Sequence, residues 1–345
     1  LVNEAWNPSK GPDSDPASGW YYQYATAFLN AKIDGATDIA AHATARATAD
    51  IGRPAPGSAE FKKLFDQVRS IPIPNGGLFV DKTNLYNVEG QYDFSSVTSN
   101  VADILIGGNY KKYVLNSEGT LFADSTGKIP INEYGAYLQA TRKIFNDRLK
   151  LIASARYDKN DNFEGRFTPR FSVVVKVAED NNIRLSYQQA YRFGSTQQQW
   201  INLNVGGNVR LIGGVKSFKD FYHFNTNPVY ALNDILAGNL APATVPQFKA
   251  ETVNSFEGGY KGLLFNKRLL IDLYGYYGVY KDFITRTTVV QSVTGNTSVF
   301  TNPATLKANL NNSDSTSVYS VPTNVKNDVT TYGFGLGLTY ALPHN

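Results

Sequence analysis

The sequence predicts an all-β chain, part of a transmembrane antiparallel β-barrel, with a helical loop near the N-terminus. Three observations predict it. Apolar and polar residues alternate in segments of about ten residues. These segments are joined alternately by very short and very long connections. Tyr and Phe number 22 and 20 in 345 residues, a usage that suits interfacial aromatic girdles. Successive side chains of a strand point to opposite faces, so each segment has one apolar and one polar face. A large soluble sandwich or propeller alternates too. Long loops gathered at one end, tight turns at the other, distinguish a barrel that spans lipid, where backbone groups must pair with one another.

Residues 1–82 read as a strand end followed by a long, partly helical extracellular loop. Leu1–Asn3 has the pattern of a strand tail. Tyr21, Tyr24, Ala25 and Phe28 share a helical face that Gly35 can end. Thr37 can cap a second, Ala-rich helix through Asp50, with Gly52 and Pro54 as stop signals. Ser58 can cap a third, where Phe61, Leu64, Phe65 and Val68 follow amphipathic spacing. A small separate helical domain is the competing reading of the same residues.

Residues 83–345 read as about nine barrel strands with short periplasmic turns and long extracellular loops. Tyr86, Val88, Tyr92 and Phe94 alternate with Asn87, Glu89, Gln91 and Asp93. Ile104, Ile106, Tyr110 and Val114 mark the next strand, and Tyr134, Ala136, Leu138 and Ala140 the third. Leu149–Asp158 sets Leu149, Leu151, Ala153, Ala155 and Tyr157 against Lys150, Ser154, Arg156 and Asp158. A polar connection over 159–166 leads to Phe171–Val177, and the turn Glu179–Asn182 to Ile183, Leu185 and Tyr187. Thr252–Leu263 and Leu269–Ile284 flank the Phe265-Asn266-Lys267 turn, and Tyr332–Leu342 closes the series. The long loops are 194–250 and 285–328. Tyr86, Tyr113, Tyr134, Tyr157, Tyr187 and Tyr280, near strand ends, are the expected girdle.

Composition bounds the function classes. No 18-residue apolar run exists for a helical span, and mean hydropathy is −0.30. The absence of cysteine excludes disulfides, thiolate metal sites and Cys nucleophiles. A net charge of +4 is spread without a basic stripe, so no nucleic-acid partner is expected. His42, His223 and His344 are scattered, leaving no His-based triad or two-His metal motif, and no enzyme, cofactor or metal is expected. Asp158-x-Asn160-x-Asn162-x-Glu164 has calcium-loop oxygen spacing, but Phe163 stands where such a loop needs Gly. Gly206-Gly207 and Gly213-Gly214 lack the context of a phosphate loop.

A family resemblance is carried by Glu133-Tyr134-Gly135-Ala136-Tyr137, Leu149-Lys150-Leu151, Arg156-Tyr157-Asp158-Lys159 and Phe167-Thr168-Pro169-Arg170. It continues through Glu257-x-Gly259-Tyr260-Lys261-Gly262, Asp272-x-Tyr274-x-Tyr276-Tyr277 and Arg210-Leu211-Ile212-Gly213-Gly214. The helical opening, with Ala5-Trp6-Asn7-Pro8 and Pro56-Gly57-Ser58-Ala59-Glu60-Phe61, fits the same pattern. Together these resemble the barrel of TonB-dependent outer-membrane receptors, of the Bacteroidetes type with a carboxypeptidase-like regulatory domain, related to SusC/RagA importers. The resemblance implies part of a 22-stranded barrel whose plug domain, TonB-box segment and final strands are not in this chain. The expectation is therefore a central barrel portion of a longer receptor.

The resemblance further implies import across the outer membrane of a Gram-negative bacterium, driven by the TonB complex through the plug. Outer-membrane lipid, a small-molecule, glycan or peptide ligand and a surface lipoprotein lid are the implied partners. On the polar face Lys150, Arg156, Asp158, Arg170, Lys176, Arg184 and Gln188 are candidate contacts for ligand or plug, or simply solvate the interior. Among the loop aromatics Trp20, Tyr21, Trp200, Phe221, Tyr222 and Phe224, Trp200 is the candidate for stacking on a ligand, against mutual packing inside the loops. A passive pore and a barrel-anchored adhesin are the other function classes.

Overall fold

A computed structural model describes residues 20–73, 76–206 and 208–342. The expectations placed on Leu1–Asn3, Ala5-Trp6-Asn7-Pro8 and His344 lie outside them. Three helices come first: α1 (Trp20–Ile33), α2 (Asp38–Ala49) and α3 (Ala59–Val68). Gly35 ends the first with φ 85°. The Thr37 hydroxyl accepts from Ala40 N at 3.3 Å and the Ser58 hydroxyl from Phe61 N at 3.1 Å, so both caps act where the residue types allow. Ala41, Ala45 and Ala49 are buried, small residues that let α1 and α2 approach closely.

Strands β1 (Asn84–Asp93), β2 (Asp103–Leu115), β3 (Ile129–Ile144), β4 (Leu149–Asn160), β5 (Phe163–Ala178) and β6 (Asn181–Arg192) follow. Then come β7 (Asn202–Gly206), β8 (Val209–Ile212), β9 (Val229–Ala231), β10 (Glu251–Leu264) and β11 (Leu269–Lys281). The series ends with β12 (Ile284–Ser292), β13 (Thr316–Asn324) and β14 (Val329–Tyr340). Nine of them form one sheet in the order β1-β2-β3-β4-β5-β6-β10-β11-β14, every pair antiparallel. Among the described residues this sheet is open, with β1 and β14 as edges, so the closed wall expected from the alternation is not present.

The turns at 145–148, 179–180 and 265–268 lie at one end, whereas the β4–β5 connection is also tight, two residues, and lies at the other end beside the long loops, against the expected alternation of short and long connections. Phe145-Asn146-Asp147 and Phe265-Asn266-Lys267 each place three successive residues at positive φ, between 53° and 67°. Both runs continue as Arg-Leu and close with a bond from the Arg amide to the Phe carbonyl at 3.2 Å. One turn design is thus used twice. The polar stretch 159–166, expected as a connection, is instead strand on both sides of a two-residue turn at 161 and 162. Strands outlast their alternation here because Asn160, Asn162 and Asp161 hydrogen-bond inside the turn and to Asn132.

The larger correction concerns the two long loops. Segments expected as polar connections contribute β7, β8, β9, β12 and β13, a second sheet in the order β7-β8-β13-β12-β9. Its strands come from both loops, with β8 pairing parallel to β13 and β9 antiparallel to β12. Ile212, Phe218, Phe224, Val229, Val289, Tyr319 and Val321 form its buried core. The loops are therefore one folded cap standing on the nine-stranded sheet.

Candidate functional site

Register settles which side chains share a face, because residues directly opposite across antiparallel strands point the same way. Lys150 is opposite Lys143 and Val174, Arg156 opposite Tyr137 and Thr168, and Arg170 opposite Ser154 and Gln188. Val174 is opposite Arg184, and Lys176 opposite Asn182. Lys150, Arg156, Asp158, Arg170, Lys176, Arg184 and Gln188 therefore lie on one face of the sheet. Trp200 does not join them. It sits in the cap, half-buried, its ring 6.1 Å from Phe218.

The opposite face is a band of exposed apolar side chains. Phe171, Tyr187, Phe256, Tyr277 and Tyr332 are consecutive register partners on five adjacent strands, and all but Tyr187 are clearly exposed. Tyr86, Tyr134, Tyr157 and Tyr187 are on this face, as a girdle requires. Tyr113 and Tyr280 are not. Tyr113 is opposite Leu85 and Ile131 and packs on the buried Leu115 and Ile131, while Tyr280 meets Phe283 edge-on at 5.8 Å.

Most charges of the polar face are matched. Arg156 forks onto Asp158, with N–O distances of 2.6–2.9 Å, reaches Asn109 and stands 5.7 Å above the Tyr137 ring. Asp158 is 1% exposed and its charge is held by this fork, so the first carboxylate of the calcium-loop spacing is already engaged. Among the described residues no cluster of three or more His, Asp or Glu could hold a metal ion. Lys111 pairs with Glu133 at 3.4 Å, Arg192 with Glu251 at 3.2 Å and Lys261 with Asp272 at 3.2 Å. Arg184 pairs with Glu257. Sequence reasoning named Arg184 as a candidate contact, and carried Glu257, Lys261 and Asp272 only as motif residues of the resemblance. Charges of opposite sign on the same parity of neighbouring strands were the signal, but only a known register aligns them. These last two pairs line a cavity of about 600 Å³ together with Lys150, Asn182 and Gly259.

An apolar face and a charged face on alternate positions of antiparallel strands are the two surfaces of a membrane barrel wall. The sequence profile of the TonB dependent receptor-like β-barrel family matches residues 3–343. The chain belongs to this family. A search of curated proteins finds no match. Among solved structures, this receptor barrel is similar to a mutant of the ferric enterobactin receptor PfeA from Pseudomonas aeruginosa. Identity is 12% and TM-score 0.51, over 78% of this chain and 34% of that one. A second PfeA mutant, in complex with enterobactin, gives 13% and 0.51 over 76% and 34%. The siderophore receptor PirA from the same organism gives 13% and 0.47 over 75% and 40%. At such identities the likeness to the two PfeA structures is one of fold alone. The chain spans between about a third and two-fifths of the length of these receptors.

The receptor barrel holds its cap by polar pins as well as by the apolar core. Glu251 at the start of β10 accepts from Ile284 N at 2.8 Å while paired with Arg192 of β6, joining β12 of the cap to the wall. Asn324 donates to the Lys249 and Asp282 carbonyls at 3.0 and 2.6 Å. Asn208 donates to Leu310 O, Thr316 O and Thr316 Oγ1, tying one loop to the other. Arg286 binds Ser320 Oγ at 2.9 Å and Ile212 O at 3.2 Å, and burial lowers its pKa. Burial raises the Tyr222 and Tyr319 phenols, whose rings are 4.8 Å apart. Trp200 and Tyr222 pack against the cap core that contains Phe224, and Phe221 alone of that group in the cap stands largely exposed.

Proposed function

We propose that this chain is the central part of the barrel of an outer-membrane receptor that binds an external ligand and imports it with energy from the TonB complex. The family match over residues 3–343 carries this reading, and the two-faced wall supports it. In this reading the full barrel has 22 strands and a plug that transmits the TonB pull. The cap and α1–α3 face the outside of a Gram-negative cell, and the turns at 145–148, 179–180 and 265–268 face the periplasm. The quoted motifs favour the Bacteroidetes type related to SusC/RagA, with a surface lipoprotein as partner. The ligand is a small molecule, glycan or peptide that contacts the charged inner rows.

The test is uptake of labelled candidate ligands by a strain lacking the full-length receptor and by the complemented strain, each with and without TonB. Uptake that needs both receptor and TonB is the expected result. Uptake through the receptor that survives loss of TonB indicates a passive pore, and surface binding without uptake an adhesin.

A further inference from the structure

The apolar face of the wall has a hollow that the chain does not fill with its own side chains. Gly258 of β10 and Gly275 of β11 are directly opposite one another. By parity with the exposed Phe256 and Tyr277, both lie on the apolar face. Several other glycines of the wall lie under a neighbouring ring. A Cβ on Gly107, Gly165, Gly333 or Gly335 would run into Tyr137, Tyr157, Tyr276 or Tyr274. No ring lies over the 258–275 pair. A Cβ on Gly258 would meet Leu185 Cδ2 at 3.3 Å, and one on Gly275 would come no nearer than 3.7 Å, to the Gly333 carbonyl. Gly90 and Gly108 are another facing pair, but on the edge strand β1.

The two glycines border a cavity of about 640 Å³, lined by Phe171, Tyr187, Phe256 and Tyr277 and by Val173 and Leu185. Glu257, which also borders it, pairs with Arg184 on the inner face. Leu185 is 58% and Phe256 53% exposed, so no described residue covers the cavity. Strands β5, β6, β10 and β11 each have both neighbours in place. The hollow is therefore not the margin of an incomplete sheet, and it opens away from the interior where a plug would stand.

Its height on the wall selects the occupant. Gly258 is the eighth of fourteen residues in β10, and Gly275 the seventh of thirteen in β11. Mid-strand positions of a membrane barrel face acyl chains. Toward the cap, Tyr187 Oη and Gln189 Nε2 both donate to Asn254 Oδ1, at 3.2 and 3.1 Å. At about 3.3 Å per residue Asn254 is about 13 Å along the strand from Gly258. Half of a hydrocarbon core of about 30 Å is close to that distance, so this polar cluster stands at the level of lipid esters.

We propose that the hollow seats one acyl chain of a membrane lipid from the cap-side leaflet, its ester end at Tyr187, Gln189 and Asn254. In lipid no hydrophobic force drives association and packing does. An empty recess forfeits dispersion contacts, and the rigid aromatic rings offer a chain more of them than a smooth wall. The seat rests on the lipid-facing band and does not depend on import.

The test uses the purified full-length receptor in phosphatidylethanolamine vesicles containing a phosphatidylglycerol with a diazirine midway along one acyl chain. After irradiation, mass spectrometry of the digested receptor is expected to find cross-links concentrated at Leu185, Phe256 and Tyr277 rather than at Leu138. Gly275→Leu, which fills the hollow, is expected to lose most of them, and Gly258→Ala a smaller share. Ala136→Leu, on the same face of β3, is expected to keep them. A diazirine beside the ester is expected to move the cross-links to Gln189 and Asn254. Heat-modifiable migration on gels checks that each variant is folded. Uniform labelling of the apolar face overturns the seat, as does a folded Gly275→Leu receptor labelled like the wild type. Receptor dimers cross-linked through this face in place of lipid adducts also overturn it, and give the hollow to a second copy.

Discussion

Tyr274 stands opposite Gly335 on the neighbouring strand, and its ring atoms lie 2.6 Å from where a Cβ on Gly335 would be. A side chain there must displace the ring. Gly335→Ala is expected to destabilise the barrel by about 1–3 kcal/mol, measured as a lower urea midpoint with an unchanged slope. Asp124 is as confined: its carboxylate accepts from Ser117 N, Ser117 Oγ and Gly119 N, and it is 5% exposed. Asp124→Ala leaves those donors unpaired, at about 1–3 kcal/mol each when buried. Faster amide exchange at Ser117 and Gly119, with β4–β6 unaffected, is the expected signature. In the helical segment burial raises the Asp50 carboxyl, but bonds from Trp20, Arg46 and Arg53 outweigh it, and the pKa is lowered below 3.8. A lowered folded value means that stability is present above 3.8 and is lost as pH falls through the folded pKa. Protection of α1 and α2 against exchange is therefore expected to drop on acidification below about pH 4, and Asp50→Asn to abolish that dependence.

Strands of the wall were legible as elements because one face of each is mostly apolar, so a period of two survives along most of their length. Sequence reading stopped short at Lys159–Arg166 because turn polarity there masks strand pairing. It failed for the cap because cap strands are three to nine residues long and Val289 and Val290 are both buried. Consecutive buried residues erase the alternation that signals a half-exposed strand. Seven of the eight candidate residues could be assigned to one face by parity alone, whereas Trp200 could not, since no period governs a loop. The interlocking of β8 with β13 makes a prediction at this scale. Ile212, at the end of β8, is 1% exposed. Ile212→Ala is expected to cost about 2–5 kcal/mol of cap stability and to raise exchange at Val318–Val321 in the other loop. Exchange confined to 194–250 would show that the loops fold separately.

Viewed whole, the molecule has a wall whose two surfaces ask for opposite solvents. Leu185 and Ser186 are neighbours in sequence and face opposite ways, Leu185 58% exposed on the apolar side. Lys at position 185 is expected to cost about 2–4 kcal/mol if it meets the bilayer centre, and Lys at 186 below about 1 kcal/mol. Urea titration in lipid vesicles measures both. Equal penalties would mean that the apolar band does not face lipid.

The parallel pairing of Val209 with Val318 also orders events in time. One partner leaves the wall before β10 and the other after β11, so neither can dock until both loops have been delivered to the same side of the bilayer. Biogenesis must therefore finish with the cap snapping shut, and a chain halted with only one loop across would display its apolar halves to whatever surveys the cell envelope.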